Sequence, residues 1–293
     1  MFSLPCICGD IMQQKRLVTV QDISCLGKCS LTASIPIIAA FGIEPVALPT
    51  AVLSTHTGAG FKDFTFKDLT EDMEGIIGHW QKLSLSFDAM YSGYLGSIEQ
   101  LDIVARFFGE FKTENNLVFI DPVMGDEGRL YHGFDEDFVK KMYSFCSHAD
   151  IICPNVTEAC FLTGIPYKEE HDEEYARHLA FKLADTGAKV IVITGVTLGT
   201  KYGALCLDTK TGSIHTHYRS KIPGIYYGTG DIFASVLCSA LTLAKPLKEA
   251  LDMAIDFVHD SIANTQDERE KYYYGVKFEQ CLGKITETVK MGI

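Results

Sequence analysis

The stretch Gly228-Thr229-Gly230-Asp231-Ile232-Phe233-Ala234-Ser235-Val236-Leu237 decides how this chain is read. Ile232, Phe233, Val236 and Leu237 recur at helical spacing with small residues between them, which predicts a buried helix opening at the glycines. Two glycines and a threonine ahead of such a helix place unpaired backbone N–H groups at the positive end of its dipole. That end takes anions, phosphate above all. Asp231 is out of character there, because a carboxylate repels phosphate. It has a chemical use as the base that takes a proton from a hydroxyl about to attack phosphorus. An ordinary first-turn aspartate after a glycine turn looks the same in isolation, so the rest of the chain has to separate the two.

With 293 residues, 47% hydrophobic and 22% charged, the chain can bury a sizeable core and is not a disordered protein. A net charge of −12 and the lack of any Lys/Arg cluster speak against a nucleic-acid partner. An acidic protein that handles phosphate has to hold it locally, with amides and a metal ion. No apolar run reaches the length of a membrane span, and Met1 to Met12 lacks the features of a signal peptide. The expected setting is cytoplasmic, with residues 1–14 an unstructured extension and 15–293 a single domain. The ten cysteines contain no Cys-x-x-Cys pair and are read as reduced thiols without a zinc site.

Strand-like runs at 16–20, 44–48, 87–91, 117–120, 150–152 and 190–193 alternate with helical periodicity over 31–41, 67–83, 98–112, 137–145, 158–162 and 173–186. Asp22 to Gly27 read as a turn. A hairpin follows over 202–207 and 213–218, turning at Thr211-Gly212, and helices close the chain at 247–261 and 278–290. The expected fold is a three-layer α/β/α arrangement, with a mostly parallel central sheet and an antiparallel hairpin towards one edge.

Ligands of such sheets bind beyond the carboxyl ends of the strands. There the sequence places Asp22, Ser54-Thr55-His56-Thr57-Gly58, Ser92-Gly93-Tyr94, Asp121-Pro122-Val123-Met124-Gly125-Asp126, Pro154-Asn155 with Glu158, and Thr194-Gly195. Each is unremarkable alone: a loop histidine, a core tyrosine, a first-turn glutamate. Their common edge, shared with the Gly-Thr-Gly-Asp turn, points to a site. Asp121, Asp126 and Glu158 with Asn155 suit a Mg²⁺ held largely through water and substrate phosphates. No Gly-x-x-x-x-Gly-Lys-Ser/Thr loop, protein-kinase signature or Gly-x-Gly-x-x-Gly after the first strand is present.

From about Arg16 onward these motifs resemble the pyridoxal/pyridoxamine kinases, the vitamin B6 branch of the ribokinase-like superfamily. The Gly-Thr-Gly-Asp turn is common to the superfamily. The His-Thr-Gly, Ser-Gly-Tyr and Asp-Pro-Val-x-Gly-Asp set is more particular to the B6 branch. The resemblance implies that Asp231 deprotonates the 5′-hydroxymethyl group of a B6 vitamer while the amides of Gly228, Thr229 and Gly230 hold the developing charge. It implies ATP contacts from Asp121, Asn155, Glu158, Thr194, Tyr131 and Thr229, and a metal near Asp121, Asp126 and Glu158. The vitamer ring would lie among Asp22, His56, Thr57 and Tyr94. ATP, Mg²⁺, a monovalent cation such as K⁺ and a homodimer are implied likewise.

Three positions depart from the animal pattern. Asp22 replaces a serine, Cys153 a threonine and Gly195 a hydroxyl residue. A carboxylate at 22 prefers a protonated ring nitrogen or an amine, so pyridoxamine or pyridoxine is the expected substrate ahead of pyridoxal. The alternatives are a hydroxymethylpyrimidine (phosphate) kinase of the same branch and a non-catalytic B6- or nucleotide-binding protein. The intact Asp231 and acidic loop count against the second.

Overall fold

The structure, a computed structural model, describes residues 14–58 and 60–291. The expected extension over 1–14 lies outside the described residues except for Gln14, whose Nε2 donates to the Gly42 carbonyl at 3.1 Å. The strands are β1 (Arg16–Leu26), β2 (Glu44–Thr55), β3 (Phe66–Asp68), β4 (Ala89–Ser92), β5 (Leu117–Ile120), β6 (Gly125–Asp126), β7 (Arg129–Leu130), β8 (Ile151–Ile152), β9 (Val190–Leu198), β10 (Lys201–Asp208) and β11 (Ile214–Ser220). The helices are α1 (Ser30–Ala40), α2 (Thr70–Lys82), α3 (Ile98–Phe111), α4 (Glu136–Cys146), α5 (Val156–Thr163), α6 (Glu173–Leu183), α7 (Thr229–Thr242), α8 (Leu247–Ala263) and α9 (Leu282–Met291). Among the described residues no helix is long and apolar enough to cross a membrane.

Nine strands form one sheet in the order β11-β10-β9-β8-β5-β4-β1-β2-β3. The six from β9 to β2 are parallel, while β10 pairs antiparallel with both β9 and the edge strand β11, and β3 closes the other edge antiparallel to β2. Side chains along each inner strand alternate between two cores, as the two-residue period of a strand requires. Val18, Met90, Val118, Ile120, Ile191 and Ile193 face one core, closed by α2 to α6. Leu17, Tyr91, Phe119, Val192, Ala204 and Cys206 face the other, closed by α1, α7, α8 and α9. The continuous apolar runs at 117–120 and 190–193 therefore read correctly as strands covered on both sides.

Three local expectations are corrected. Asp22 to Gly27 is not a turn. β1 runs on to Leu26 beside β2, with a shift of register between Gln21 and Ile23. Polar residue types suggested a turn, but Asp22 and Ser24 are buried and bond to each other there. The helix expected from 67 begins at Thr70. Before it, β3 pairs with residues 51–53 of β2, and the Asp68 carboxylate accepts the Thr70 N–H at 2.7 Å. The acidic loop after β5 carries a two-stranded ribbon, β6 with β7, which two-residue strands left illegible.

The amino ends of the parallel strands are stapled by ion pairs. Asp88 accepts both the Lys15 ammonium and the Arg16 N–H at 2.8 Å, and Arg16 pairs with Glu44. Asp150, just ahead of β8, accepts the Val118 N–H and pairs with Lys189, each at 2.8 Å, and also pairs with Lys112. Burial pushes the Asp150 carboxyl up, but Lys112, Lys189 and the Val118 amide outweigh it and hold the group below its ordinary range. Asp150→Ala should therefore destabilise the fold by roughly 2–4 kcal/mol, or about 5–10 °C in Tm. Because the folded pKa is depressed, the wild-type advantage is complete above the unfolded value near 4 and disappears as pH falls through the folded one. Thermal melts of the two proteins from pH 7 to pH 3 check this; equal Tm at neutral pH refutes it.

Candidate active site

The N-terminus of α7 sits at the carboxyl edge of the sheet. Gly228 caps it at φ +77, and a Cβ there would lie 1.8 Å from the Lys28 carbonyl oxygen. Both the dihedral and the space demand glycine. Gly230 differs. Beyond its own helix and chain neighbours, a Cβ on it would meet no atom within 4 Å, so packing does not require glycine there and the approach to this turn is open. The Thr229 hydroxyl donates to the Tyr226 carbonyl at 3.3 Å, tying the turn to the preceding loop. The first-turn amides have no partner within the helix, so this end is free to bind charge.

Asp231 stands one residue further on and keeps partial exposure. Burial among protein atoms raises its carboxyl to about 7, against the opposing pull of the Ser30 backbone N–H, and the Asp22 charge adds to the rise. A carboxyl near neutrality is suited to accept a proton in one step and release it in the next.

The acidic loop lies beside it. The Asp121 N–H donates to the Ser92 carbonyl at 2.9 Å, which sets Asp121 just past the end of β5. Burial, then the charges of Glu158 and Asp231, push its carboxyl far up. Glu158 is buried and accepts two backbone N–H groups, Met124 at 3.1 Å and Asn155 at 2.8 Å. Burial raises it as well, while those amides pull the other way. Asn155 caps α5, accepting the Glu158 N–H at 2.9 Å and donating to the Gly125 carbonyl at 2.9 Å. The pair forms a capping box. It also clamps the acidic loop, through Met124 and Gly125, onto the start of α5. Thr194 pairs with Asn155 across an isolated parallel bridge, so it belongs to the same edge.

Asp126 lies on β6, exposed, and accepts the Glu127 N–H at 2.8 Å. Tyr131 is 42% exposed, yet its hydroxyl is raised by burial and by Glu158, Asp126, Asp231 and Asp121, which places it among the acids. Among the described residues no three carboxylate, histidine or cysteine groups converge closely enough to ligate one ion. Asp121 and Glu158 still offer an all-oxygen donor set of buried, mutually repelling charges. That set fits a hard cation completed by water and phosphate oxygens.

Asp22 accepts hydroxyls on both oxygens, from Ser24 at 2.8 Å and Ser30 at 2.6 Å. Burial raises it despite these donors. Its capacity towards a ring nitrogen is thereby reduced, not removed, since each oxygen keeps a second lone pair. His56 is buried, and its tautomer follows from its neighbours. Nδ1 accepts the Gly58 N–H at 3.0 Å, so the proton sits on Nε2 and faces the Tyr274 carbonyl at 2.9 Å. Burial lowers its pKa, in keeping with a neutral ring. With both nitrogens engaged, His56 is not a free base. Thr57 is exposed beside it. Tyr94 is partly buried, its ring 5.8 Å from that of Phe134, which follows the β6–β7 ribbon. Its hydroxyl is raised by burial and by the charges of Asp22 and Asp68.

Sequence reasoning missed several neighbours of this edge. The Tyr91 hydroxyl is fully buried without a hydrogen-bond partner, and Asp121 and Asp231 are among the charges acting on it. The Tyr227 and Phe61 rings flank His56. Ser30 links Asp22 to the start of α1. Nothing in their local sequence marks them. Tyr91 reads as a strand residue and Ser30 as the residue just ahead of an apolar helix.

The phosphomethylpyrimidine kinase family model matches residues 38–275. The Bacteroides thetaiotaomicron protein solved under the name phosphomethylpyrimidine kinase is 37% identical, covers 93% of this chain and 94% of its own, and superposes with a TM-score of 0.90. A second crystal form of it is described with pyridoxal, at a TM-score of 0.88. Pyridoxal kinase from Lactobacillus plantarum is 32% identical over 94% of this chain and 97% of its own, with a TM-score of 0.86. Pyridoxal kinase of Ovis aries is 30% identical over 76% of this chain and 77% of its own. The three-layer fold with a mostly parallel sheet is common to these structures, and the chain belongs to the phosphomethylpyrimidine kinase family, within its ribokinase-like vitamin B6 kinase branch.

Proposed function

We propose that the chain transfers the γ-phosphoryl group of ATP to the 5′-hydroxymethyl group of a vitamin B6 vitamer, as a pyridoxal kinase of the salvage type. The observation that carries the reading is the position of Asp231, its carboxyl raised to about 7 by the surrounding protein, immediately after the free first-turn amides of α7. The pyridoxal kinases among its relatives support the choice of substrate.

In this reading Asp231 takes the proton of the vitamer hydroxyl, whose oxygen bonds to the γ-phosphorus as the bond to ADP breaks. The amides of Gly228, Thr229 and Gly230 face the oxygens on which charge accumulates. Among the described residues no lysine or arginine forms an ion pair with Asp22, Asp121, Asp126, Glu158 or Asp231, so neutralisation falls to backbone dipoles and a cation. Mg²⁺ bound near Asp121 and Glu158, with Asp126 at the rim, would supply charge neutralisation of the triphosphate. Asn155, Thr194, Thr229 and Tyr131 line the nucleotide side. Asp22, His56, Thr57 and Tyr94 line the vitamer side. A monovalent cation and a homodimer follow the family resemblance, and a cytoplasmic setting follows the cysteine usage and the lack of a membrane-length apolar run.

A second reading, a hydroxymethylpyrimidine (phosphate) kinase, is favoured by the match to the phosphomethylpyrimidine kinase family model. Its substrate is also a small ring bearing a hydroxymethyl group, and the same Asp231 chemistry serves it.

Three measurements test these readings. ADP release with pyridoxal, pyridoxine, pyridoxamine and hydroxymethylpyrimidine should be fastest with a B6 vitamer; a preference for hydroxymethylpyrimidine would reverse the order of the two readings. Asp231→Asn should lower kcat by about 10²–10⁴-fold while ATP still binds, and a variant retaining most of its kcat removes Asp231 as the base. The base works deprotonated, so kcat/KM should fall tenfold per pH unit below about 7 and level off above it. A flat profile between pH 5.5 and 8 excludes a base of that pKa.

A further inference from the structure

Tyr227 directly precedes the turn that opens α7, yet its ring lies over the loop that follows β2. The Tyr227 and His56 ring centroids are 5.4 Å apart and tilted by 36°, within the range of attractive aromatic pairs. A Cβ on Gly58 would lie 2.8 Å from Tyr227 Cε1 and 3.3 Å from His56 Nδ1. The Gly58 φ is not positive, so glycine serves the close approach of the ring there and not an unusual backbone. The loop is also folded on itself and anchored. The Gly58 N–H donates to His56 Nδ1 at 3.0 Å, and His56 Nε2 faces the Tyr274 carbonyl at 2.9 Å. Phe61 meets the His56 ring edge-on at 5.2 Å.

β2 and β11, which lead into these two segments, lie towards opposite edges of the sheet. No strand pairing joins them, so side chains packed across the carboxyl edge set their spacing. We propose that Tyr227 is a positioning residue for the vitamer: resting on Gly58 and His56, its ring holds the 56–58 loop at a fixed distance from the first turn of α7, so that a vitamer bound beside Thr57 presents its hydroxymethyl group to Asp231. The contacts on Gly58 are made by ring carbons, not by the hydroxyl. The start of α7 is fixed separately, by Gly228 against the Lys28 carbonyl. Loss of the Tyr227 ring therefore leaves Asp231 and the turn amides in place and loosens the vitamer side alone. Such a change weakens ground-state and transition-state binding of the vitamer alike and appears in KM rather than kcat.

This inference rests on the phosphotransfer reading, with His56 and Thr57 on the vitamer side. Steady-state kinetics with ATP and each of pyridoxal, pyridoxine and pyridoxamine are measured for wild type, Tyr227→Ala, Tyr227→Phe, Gly58→Ala and the double variant Gly58→Ala/Tyr227→Ala, with a thermal melt for each. Tyr227→Ala should raise the vitamer KM about tenfold, with KM for ATP within about twofold and kcat within about threefold of wild type. Tyr227→Phe keeps the ring and should stay within about twofold of wild type throughout. Gly58→Ala has to push the ring aside and should raise the vitamer KM as well, but by less than about twofold once the ring is already gone. It leaves Tyr227 in place and carries the test if Tyr227→Ala fails to fold. A wild-type vitamer KM in folded Tyr227→Ala or in Gly58→Ala overturns the proposal. So does an equal loss in Tyr227→Phe and Tyr227→Ala, a rise in KM for ATP as large as that for the vitamer, or multiplicative losses in the double variant. If wild type releases no ADP with any of the three vitamers, the phosphotransfer reading itself has failed, and the Tyr227 proposal falls with it. If wild type turns over and the variants match it, only the Tyr227 proposal falls.

Discussion

Burying several carboxyl groups along one edge of a sheet is the constraint on which this structure turns. Asp22, Asp121 and Glu158 are each less than a tenth exposed, and Asp231 stands among them. An ionised carboxylate taken out of water is costly unless donors meet it. Here the donors are hydroxyls and backbone amides: two serines for Asp22 and two amides for Glu158. These soften the cost without cancelling charge, which is why burial prevails and all four carboxyls are raised.

The opposite edge shows that the fold can do otherwise. Asp88, Glu44 and Asp150, at the amino ends of the strands, each have a lysine or arginine partner. Those acids are spent on holding β1, β2, β4, β5 and β8 in register. The acids of the carboxyl edge are left with a deficit of positive charge. A site of that kind attracts a cation and a proton, and it accepts a polyanion such as ATP only together with them. That no lysine ion-pairs with these acids among the described residues is therefore consistent with the phosphotransfer proposed for a chain of net charge −12.

Much of this was legible in the sequence for reasons that can be named. Buried parallel strands read as unbroken apolar runs, and the helix after Gly230 reads as apolar with small residues, so layer order and the edge carrying the site followed directly. β1 was cut short at Val20 because its continuation is polar. Asp22 and Ser24 look like turn residues until Ser30, from the next helix, is seen to complete their bonding. The same long-range dependence hid Tyr91, Ser30 and the His56 tautomer, which is set by Gly58 and by Tyr274, 218 residues away. Pairings of that span have no local pattern. Glu158 was readable in two ways, as a first-turn acid and as a site residue. Its capping box with Asn155 lies within the site edge and gives one residue both jobs.

The two glycines of the opening turn separate what folding requires from what a ligand requires. Gly228 is demanded by the protein itself, since its φ is left-handed and the Lys28 carbonyl fills the space of a Cβ. Substitution there would part α1 from α7 before any substrate arrived. Gly230 meets nothing within 4 Å and adopts no left-handed φ, so stability alone would favour a residue with higher helix propensity at that point. A helix start that forgoes this stability beside a buried aspartate is explained by an approach too close for a side chain. The partner that approaches unpaired amides so closely is an anion. The fold needs the first glycine, while the second is left free for the anion-binding role proposed for this turn.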